Sequence, residues 1–345
     1  VEIGFSLNQS NTMKRILVTG GLGYIGSHTC VALIEAGYHP VVVDNLRNTR
    51  IETKNAIEEI TGQSLDFYEL DAKNSVEVAE KIGLIDGTIH FAALKSVGES
   101  IQKPMEYYTE NLESLLSIIK VSATNEAKNF IFSSSATVYG ETEEECVTEE
   151  TPLGSPLNPY GHTKSLGEQI LNSGTHPFKT ILLRYFNPVG AHPSANIGEL
   201  PNGIPNNLVP YITQTAAGLR EKLTVFGSDY DTRDGSCIRD FIHVVDLAEA
   251  HVAALNYSEG MQENVDVFNV GTGAGNTVIE LINTFEEVNG VQLNYEIGPR
   301  RDGDIKAIFT DTSKINSLLN WKSRFSLIDC LKHSWAWESN LRGIK

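Results

Sequence analysis

The sequence predicts an α/β protein: a doubly wound parallel sheet of the Rossmann type, followed by a smaller mixed α/β domain. Apolar, strand-like runs alternate with helix-like runs through the first half of the chain. A glycine-rich turn joins the first strand to the first helix, and an acidic residue closes the second strand. After residue 188, glycine, proline and asparagine become dense, which indicates a change of domain.

The glycine-rich turn is the segment TGGLGYIG, residues 19–26. Gly20 or Gly21 permits the tight turn, and Gly23 lets the backbone approach a phosphate. Gly26 lets the helix pack close to the strand. The N–H groups at the start of the helix can then bind an anion, so the segment predicts a site for the pyrophosphate of a dinucleotide.

The second strand, at residues 41–43, favours NAD over NADP, because Asp44 follows it eighteen residues after Gly26. A carboxylate at this point can accept hydrogen bonds from both ribose hydroxyls, and it would repel a 2′-phosphate. The polar stretch 45–55 is predicted to be a loop and helix start beside the adenosine of the cofactor.

The rest of the pattern gives the order of the elements and the division into domains. Strands are predicted at 15–19, 64–70, 85–93, 129–133 and 179–185, and helices at 27–36 and 111–122. Ligands of such a sheet bind beyond the carboxyl ends of its strands. We predict an NAD-binding domain at 13–188 and a substrate domain at 189–345, with part of 240–272 able to return to the first. Residues 1–12 are interpreted as a tail or a remnant of cloning.

The composition of the chain limits the classes of partner that the protein is expected to bind. The 345 residues carry a net charge of −17, which disfavours nucleic acid and anionic membrane surfaces. No apolar run reaches the length of a membrane span, and residues 1–12 lack the pattern of a signal peptide. The four cysteines form no CxxC, so we expect reduced thiols and a cytoplasmic protein. The nine histidines show no metal spacing, and we predict no metal site.

Two further segments can be interpreted either as ligand sites or as ordinary turns and loops. The glycine cluster 271–275 follows a strand-like run and precedes a helix-like run, so it could bind a second phosphate. A tight structural turn is the preferred interpretation. The run 141–150 contains six glutamates and is interpreted as a solvated loop rather than a metal site.

The catalytic prediction rests on Tyr160 and Lys164, which are four residues apart and therefore share one face of a helix. A phenol near pKa ~10 is a poor base at neutral pH, but a nearby ammonium and a positively charged nicotinamide favour the phenolate. Tyr160 can then take a proton from a carbinol as hydride leaves to NAD. Ser135 follows the fifth strand, where its hydroxyl can join the same carbinol.

Together, several motifs resemble those of the UDP-glucose 4-epimerase family, within the extended short-chain dehydrogenases/reductases. They are TGGLGYIGSH, DNL at 44–46, HFAALKSVGES, SSSATVYG, YGHTK, RYFNPVGAHP, GIPNNLVPYI and IRDFIHVVDLA, and the resemblance runs from about Arg15 to Trp337. It implies an NAD-binding domain, a smaller UDP-sugar domain and a homodimer. It also implies an isomerase of galactose metabolism. Such an enzyme interconverts UDP-glucose and UDP-galactose by transient oxidation at C4 with bound NAD, rotation of the 4-keto sugar and return of the hydride.

The resemblance also implies roles for individual residues. The residues that match NAD contacts are Gly20, Gly23, Tyr24, Ile25, Gly26, Asp44, Asn45, Asn48, Thr49, Asp71, Ala72, Phe91, Ala92, Ala93, Lys95, Asn111 and Phe186. The residues that match the catalytic trio are Ser135, Tyr160 and Lys164, which also contact the cofactor. The residues that match substrate contacts are Lys95, Ser135, Tyr160, Asn187, Asn207, Leu208, Thr224, Phe226, Arg239, Arg301 and Asp304. Among these, Arg239 and Arg301 match a diphosphate clamp.

The sequence departs from the family pattern at three points. Residues 111–115 replace a frequent NVxGT, so only Asn111 carries over directly, and Leu70-Asp71-Ala72 replaces a frequent GD-aliphatic run. Ile308 stands where relatives carry residues of differing size in the sugar pocket. Its stiff, branched side chain predicts weak or no activity on N-acetylated sugars, although Ile308 can equally be an ordinary core residue.

Two other functions remain open at this point. A 4,6-dehydratase or a decarboxylase has the same fold, but a dehydratase needs an acid–base pair of carboxylates beside the catalytic hydroxyl, and Ser135-Ala136-Thr137 offers none. A dinucleotide-sensing regulator can lack the catalytic Tyr or Lys, whereas this chain keeps both. Turnover of a UDP-sugar without net formation of NADH distinguishes the epimerase from the dehydratase or decarboxylase and from the regulator.

Overall fold

The computed structural model describes residues 13–301 and 304–344. The strands are β1 Arg15–Thr19, β2 His39–Asp44, β3 Asp66–Glu69, β4 Gly87–His90, β5 Asn129–Ser135, β6 Cys146–Val147, β7 Lys179–Tyr185, β8 Asn187–Val189, β9 Leu223–Phe226, β10 Ile238–His243, β11 Val265–Val270, β12 Gly275–Thr277, β13 Tyr295–Gly298 and β14 Ala307–Thr310. The helices are α1 Tyr24–Glu35, α2 Glu52–Thr61, α3 Ser75–Ile82, α4 Val97–Gln102, α5 Pro104–Thr124, α6 Pro159–Ser173, α7 Leu208–Ala216, α8 Val244–Ser258, α9 Val278–Asn289, α10 Ser313–Leu318 and α11 Leu327–Arg342.

Seven strands form one parallel sheet in the order β11-β7-β5-β4-β1-β2-β3. Its central strands are buried on both faces, which explains their nearly continuous apolar sequences. The strand order reverses between β1 and β4, where a doubly wound sheet opens a crevice at its carboxyl edge. The predicted fold class is confirmed.

The predicted elements differ from the observed ones mainly at their ends. Helix α1 begins at Tyr24 rather than at residue 27, because it starts directly from Gly23 as its N-cap. Strand β5 continues two residues beyond the predicted 129–133 and includes Ser135. Strand β4 covers only 87–90 of the predicted 85–93. The remaining residues of that run, Phe91 onward, form a loop at the carboxyl edge of the sheet.

The second half of the chain builds a mixed sheet of order β12-β10-β14-β6, with β8 paired to β10, and a separate pair β13-β9. Strand β10 is antiparallel to β12 but parallel to β14 and β8. Strand β11, by contrast, pairs along its whole length with β7 of the large sheet, and α8 packs on α1. A division at residue 189 stays a prediction, and residues 1–12 lie outside the described residues.

The glycine cluster at 271–275 forms a turn whose donors are already used. Asp240, which is fully buried, accepts hydrogen bonds from the backbone N–H groups of Thr272, at 2.8 Å, and of Gly273, at 3.0 Å. A protein carboxylate thus occupies the place that a phosphate would take, which favours the structural interpretation. Within 13–301 and 304–344, no helix combines the length and the apolar character needed to cross a membrane.

Candidate active site

The turn between β1 and α1 is closely packed. Gly20 has φ +69°, and a Cβ atom there would lie 2.9 Å from the backbone nitrogen of Ala92. A Cβ on Gly26 would lie only 2.3 Å from the carbonyl oxygen of Gly20. In the part of the chain that the structure describes, no side chain caps the N-terminus of α1. The first N–H groups of the helix, at Tyr24 and Ile25, therefore have no partner within it. This turn fits a pyrophosphate group, as the sequence predicted.

Asp44 stands at the end of β2 and is 6% exposed. One carboxylate oxygen accepts from the backbone N–H of Leu22 at 3.1 Å, and the other accepts from that of Leu46 and from the hydroxyl of Thr49 at 2.6 Å. The carboxylate therefore shapes the adenosine end of the crevice in addition to the predicted contact with ribose. Asn45 and Asn48 lie in the same loop and are exposed.

Asp71 and Ala72 follow β3 at the same edge of the sheet. Asp71 accepts a hydrogen bond from the backbone of Lys73 at 2.9 Å, which forms a local turn. Ala72 is 7% exposed and belongs to the hydrophobic core. The resemblance implied contacts with NAD for both residues, and burial leaves little of Ala72 for such a contact.

Asn111 is predicted to contact NAD, but its described hydrogen bonds are to the protein. Its amide oxygen accepts from the N–H of Leu94 at 2.7 Å, and its amide nitrogen donates to the carbonyl of Leu94 and to the hydroxyl of Thr163, each at 3.0 Å. Both donors of the amide are thereby used. Asn111 thus ties the loop 91–95 to α6, which carries Tyr160 and Lys164.

Tyr160 and Lys164 lie on the first turns of α6, as the sequence predicted. Asn158 caps this helix by accepting a hydrogen bond from the N–H of Gly161 at 2.9 Å, and Pro159 occupies the first turn. Lys164 donates to the carbonyl of Ser133 on β5 at 2.6 Å. Its ammonium nitrogen is 5.9 Å from the centre of the Tyr160 ring. Helix and sheet therefore bring the predicted trio together.

Burial dominates the protonation of this pair. It raises the pKa of Tyr160 to about 12, although the neighbouring Ser135 hydroxyl lowers it. It lowers the pKa of Lys164 to about 8. For the chain by itself the pKa of Tyr160 is raised rather than lowered, because removal of both groups from water disfavours the phenolate and the ammonium alike. The predicted lowering combines the charge of Lys164 with that of the nicotinamide.

Residues predicted to bind the nucleotide end of a substrate converge from three segments: β9, β10 and residues 301–304. Asp304 accepts from Arg301 at 2.7 Å and lies 3.7 Å from a nitrogen of Arg239 on β10. The Arg301 guanidinium is 5.5 Å from the centre of the Phe226 ring on β9, which is 41% exposed. Thr224 belongs to the same strand. The two arginines form the predicted cationic cluster, and Asp304 partly neutralises it.

Asn187, a predicted substrate contact, lies at the start of β8. The predicted nucleotide contacts Asn207 and Leu208 lie at the N-cap and the first position of α7. Phe186 is 4% exposed and packs with Ile308. Ile308 itself is 6% exposed and belongs to the same buried cluster.

Glu199 is a polar residue of this region that the sequence reasoning missed. Its Oε1 atom accepts from the ammonium of Lys95 at 2.9 Å and from the amide of Asn207 at 2.7 Å. Both partners are predicted substrate contacts, and the Glu199 side chain is only 10% exposed. No local pattern could reveal it, because Lys95 is 104 residues away along the chain.

Among residues 13–301 and 304–344, no three His, Cys, Asp or Glu side chains are placed to hold a metal ion. The four cysteines are all free thiols, and Cys146 alone is exposed.

Comparison with known proteins decides the family. The model of the NAD dependent epimerase/dehydratase family matches residues 16–271, about three quarters of the chain. The chain belongs to this family.

Relatives within the family extend the similarity to nearly the whole chain. The UDP-glucose 4-epimerase of Bacillus subtilis (strain 168) is 48% identical over 336 residues, which cover 96% of this chain and 98% of that protein. The structure of a UDP-glucose 4-epimerase from Bifidobacterium longum, in complex with NAD+ and UDP, is 44% identical with a TM-score of 0.91. The match covers 96% of this chain and all of that one. The chain is also similar to the UDP-glucose 4-epimerase from Stenotrophomonas maltophila, solved with NAD and formylated UDP-arabinopyranose, at 43% identity and a TM-score of 0.93. This match covers 96% of this chain and all of that one.

Proposed function

We propose that this protein is an NAD-dependent UDP-glucose 4-epimerase that interconverts UDP-glucose and UDP-galactose. The observation that carries the proposal is the contact of the α6 segment bearing Tyr160 and Lys164 with the end of β5, where Ser135 lies, at the same carboxyl edge of the sheet as the glycine turn. The paired arginines at the other end of the crevice suit a nucleotide diphosphate. The full-length similarity to UDP-glucose 4-epimerases supports the same reaction.

Different residues of the chain bind the cofactor and the substrate. The turn at Gly20, Gly23 and Gly26 and the start of α1 hold the pyrophosphate of NAD, and Asp44 holds its adenosine ribose. Arg239 and Arg301 hold the diphosphate of the substrate. Fewer of the predicted substrate contacts are made to the hexose, which leaves the sugar free to turn. An epimerase must bind UDP tightly and the hexose loosely.

Proton transfer falls to Tyr160. When bound, NAD supplies a reversible hydride acceptor for C4, and its positive charge favours the phenolate that burial otherwise disfavours. Tyr160 takes the proton of the C4 hydroxyl and later returns it. Ser135 donates a hydrogen bond to the C4 oxygen. Lys164, held by the Ser133 carbonyl, stabilises the phenolate by charge.

The deciding experiment is incubation of the purified protein with UDP-galactose, with product identification and absorbance at 340 nm recorded together. We expect UDP-glucose to form without accumulation of NADH, and NAD to copurify. Stoichiometric release of NADH would indicate a dehydrogenase. Loss of water from the sugar would indicate a 4,6-dehydratase, and binding without turnover would indicate a regulator.

We further propose a homodimer. The short helix α4 and the start of α5 present exposed apolar side chains, with Val97 at 42%, Ile101 at 59% and Met105 at 72% exposed. Leu116 on α5 is 52% exposed as well. Light scattering during size-exclusion chromatography should give twice the chain mass of 37.9 kDa, and a monomer would contradict the proposal.

A further inference from the structure

Helix α6 continues the face of Tyr160 and Lys164 by one more turn, where the next residue on that face is Glu168. Glu168 is 1% exposed. Its two carboxylate oxygens accept from Arg184 on β7, from Nε at 2.9 Å and from Nη2 at 2.7 Å. Arg184 is itself 5% exposed. The contact is a buried, two-pronged ion pair that fastens α6 to β7.

The pair also reaches β5 and β11. The hydroxyl of Ser134, which lies opposite Arg184 in the pairing of β5 with β7, donates to Glu168. Arg184 donates a further hydrogen bond to the Tyr139 hydroxyl at 3.2 Å, and this hydroxyl donates to Asn269 on β11 at 2.6 Å. Four elements therefore meet at one point.

This network lies next to the reacting groups. Ser134 directly precedes Ser135 on β5, and Glu168 follows Lys164 by one helical turn. The relative position of α6 and β5 sets the distance between the Tyr160 phenol and the Ser135 hydroxyl. Any shift of the helix along the sheet would change that distance.

The stability of the fold does not by itself explain such a pair. Replacing a buried ion pair by apolar side chains of similar volume is often neutral or stabilising, because desolvation offsets the attraction. A two-pronged arginine–carboxylate contact does fix relative orientation. In a catalytic site, a displacement of about 1 Å can cost roughly 10²-fold in rate.

We propose that Glu168 and Arg184 are positioning residues that hold α6 in register with β5, so that Tyr160 and Lys164 stand correctly against Ser135. The inference rests on the epimerase function proposed above. The pair is expected to affect the chemical step but not the binding of UDP, whose predicted contacts lie on α7, β9, β10 and residues 301–304.

The test separates positioning from stability. A triple variant, Ser134→Ala with Glu168→Leu and Arg184→Met, removes the charges together with the hydroxyl that would lose its acceptor. Ser134→Ala alone is the matched control. We measure kcat with UDP-galactose, the Kd of UDP by calorimetry, NAD content and the midpoint of thermal unfolding. Wild type is measured first, and absence of epimerisation there would refute the proposed function and this inference with it.

We expect the triple variant to fold and to bind UDP within about twofold of the control, with kcat lower by at least about tenfold. A folded triple variant with kcat within twofold of the control overturns the positioning role while the epimerase function stands. If the triple variant does not fold, Arg184→Lys decides, because it keeps the charge but not the two-pronged contact. A loss of about threefold to tenfold in kcat at unchanged Kd for UDP supports the role. Unchanged kcat, or an equal loss in UDP affinity, overturns it.

Discussion

At the scale of single residues, burial outweighs neighbouring charge in the candidate active site. The pKa of Tyr160 is raised to about 12 and that of Lys164 is lowered to about 8, in both cases chiefly by burial. The sequence identifies the two residue types and their spacing. The degree of burial depends on the strands and helices packed around them, so the direction of the shift of Tyr160 could not be predicted from the sequence.

Replacing Tyr160 with phenylalanine should lower turnover of UDP-galactose by at least about two decades, the usual scale of a general acid–base. The affinity for UDP should stay almost unchanged, because the predicted nucleotide contacts lie on α7, β9, β10 and residues 301–304. Steady-state kinetics and calorimetry measure the two effects. Tyr295→Phe on β13, where the tyrosine is 37% exposed, is the control. Full activity of Tyr160→Phe would remove Tyr160 from the mechanism.

A second residue-scale prediction concerns the choice of cofactor. Asp44→Ala combined with Asn45→Arg should relax the preference for NAD toward NADP, because the carboxylate no longer repels a 2′-phosphate. The Kd values of both dinucleotides measure the change. Since Asp44 also accepts from Leu22 and Thr49, we expect a loss of stability of about 1–3 kcal/mol as well. Equal affinity of the wild type for NAD and NADP would contradict the role of Asp44.

At the scale of elements, strand β14 carries Ile308, a residue predicted to line the sugar pocket that is buried in the hydrophobic core. Ile308 is 6% exposed and packs in a small cluster with Val138, Tyr139, Val147 and Phe186. Phe186 is a predicted nicotinamide contact, so Ile308 can influence the sugar pocket through it. The sequence left open whether Ile308 lines the pocket or belongs to the core, because an apolar strand residue is compatible with either position.

We expect the wild type to prefer UDP-glucose and UDP-galactose over their N-acetylated counterparts, because a packed wall rejects the added atoms at roughly 1–3 kcal/mol. Ile308→Gly should raise the efficiency on the N-acetylated pair relative to the plain pair, as measured by kcat/KM for each. Truncation also removes core contacts, at a cost of about 2–5 kcal/mol in stability.

The control for this experiment is Val147→Ala, which opens the same cluster from β6. An unchanged ratio in Ile308→Gly would assign Ile308 to the core alone. Equal efficiencies of the wild type on both substrate pairs would refute the preference.

At the scale of the whole molecule, histidines buried among elements from both halves of the chain connect its stability to pH. Burial lowers the pKa of His28, His90 and His243 to about 3 and that of His251 to about 4. His28 lies on α1, and His243 ends β10 and contacts His333 on α11 at 3.0 Å. These rings stay neutral in the folded protein.

Acid should therefore unfold the protein steeply. Between the folded pKa near 3 and the unfolded value near 6.5, the unfolded state binds more protons, so stability falls as pH drops below about 6.5. Each such histidine should remove about 2 kcal/mol of unfolding free energy at pH 5. Urea denaturation at pH 7, 6 and 5 measures the slope.

Two variants check this assignment. His251→Leu should flatten the dependence, because the Nε2 atom of His251 is buried and has no hydrogen-bond partner among the described residues. His162→Gln should leave it unchanged, because His162 is exposed. A free energy of unfolding that stays constant from pH 7 to pH 5 would contradict the prediction.

The sequence by itself determined the parallel sheet, the glycine turn with Asp44, and the pair Tyr160 and Lys164. These features are local: strand periodicity, the needs of a tight turn and helical spacing all act within a few residues. The arginines at 239 and 301 came instead from the resemblance of their motifs. Only the tertiary structure decided what depends on distant partners. It places Glu199 between Lys95 and Asn207, turns Asn111 toward Leu94 and Thr163, and pairs Glu168 with Arg184, because contacts and burial arise where separate segments meet.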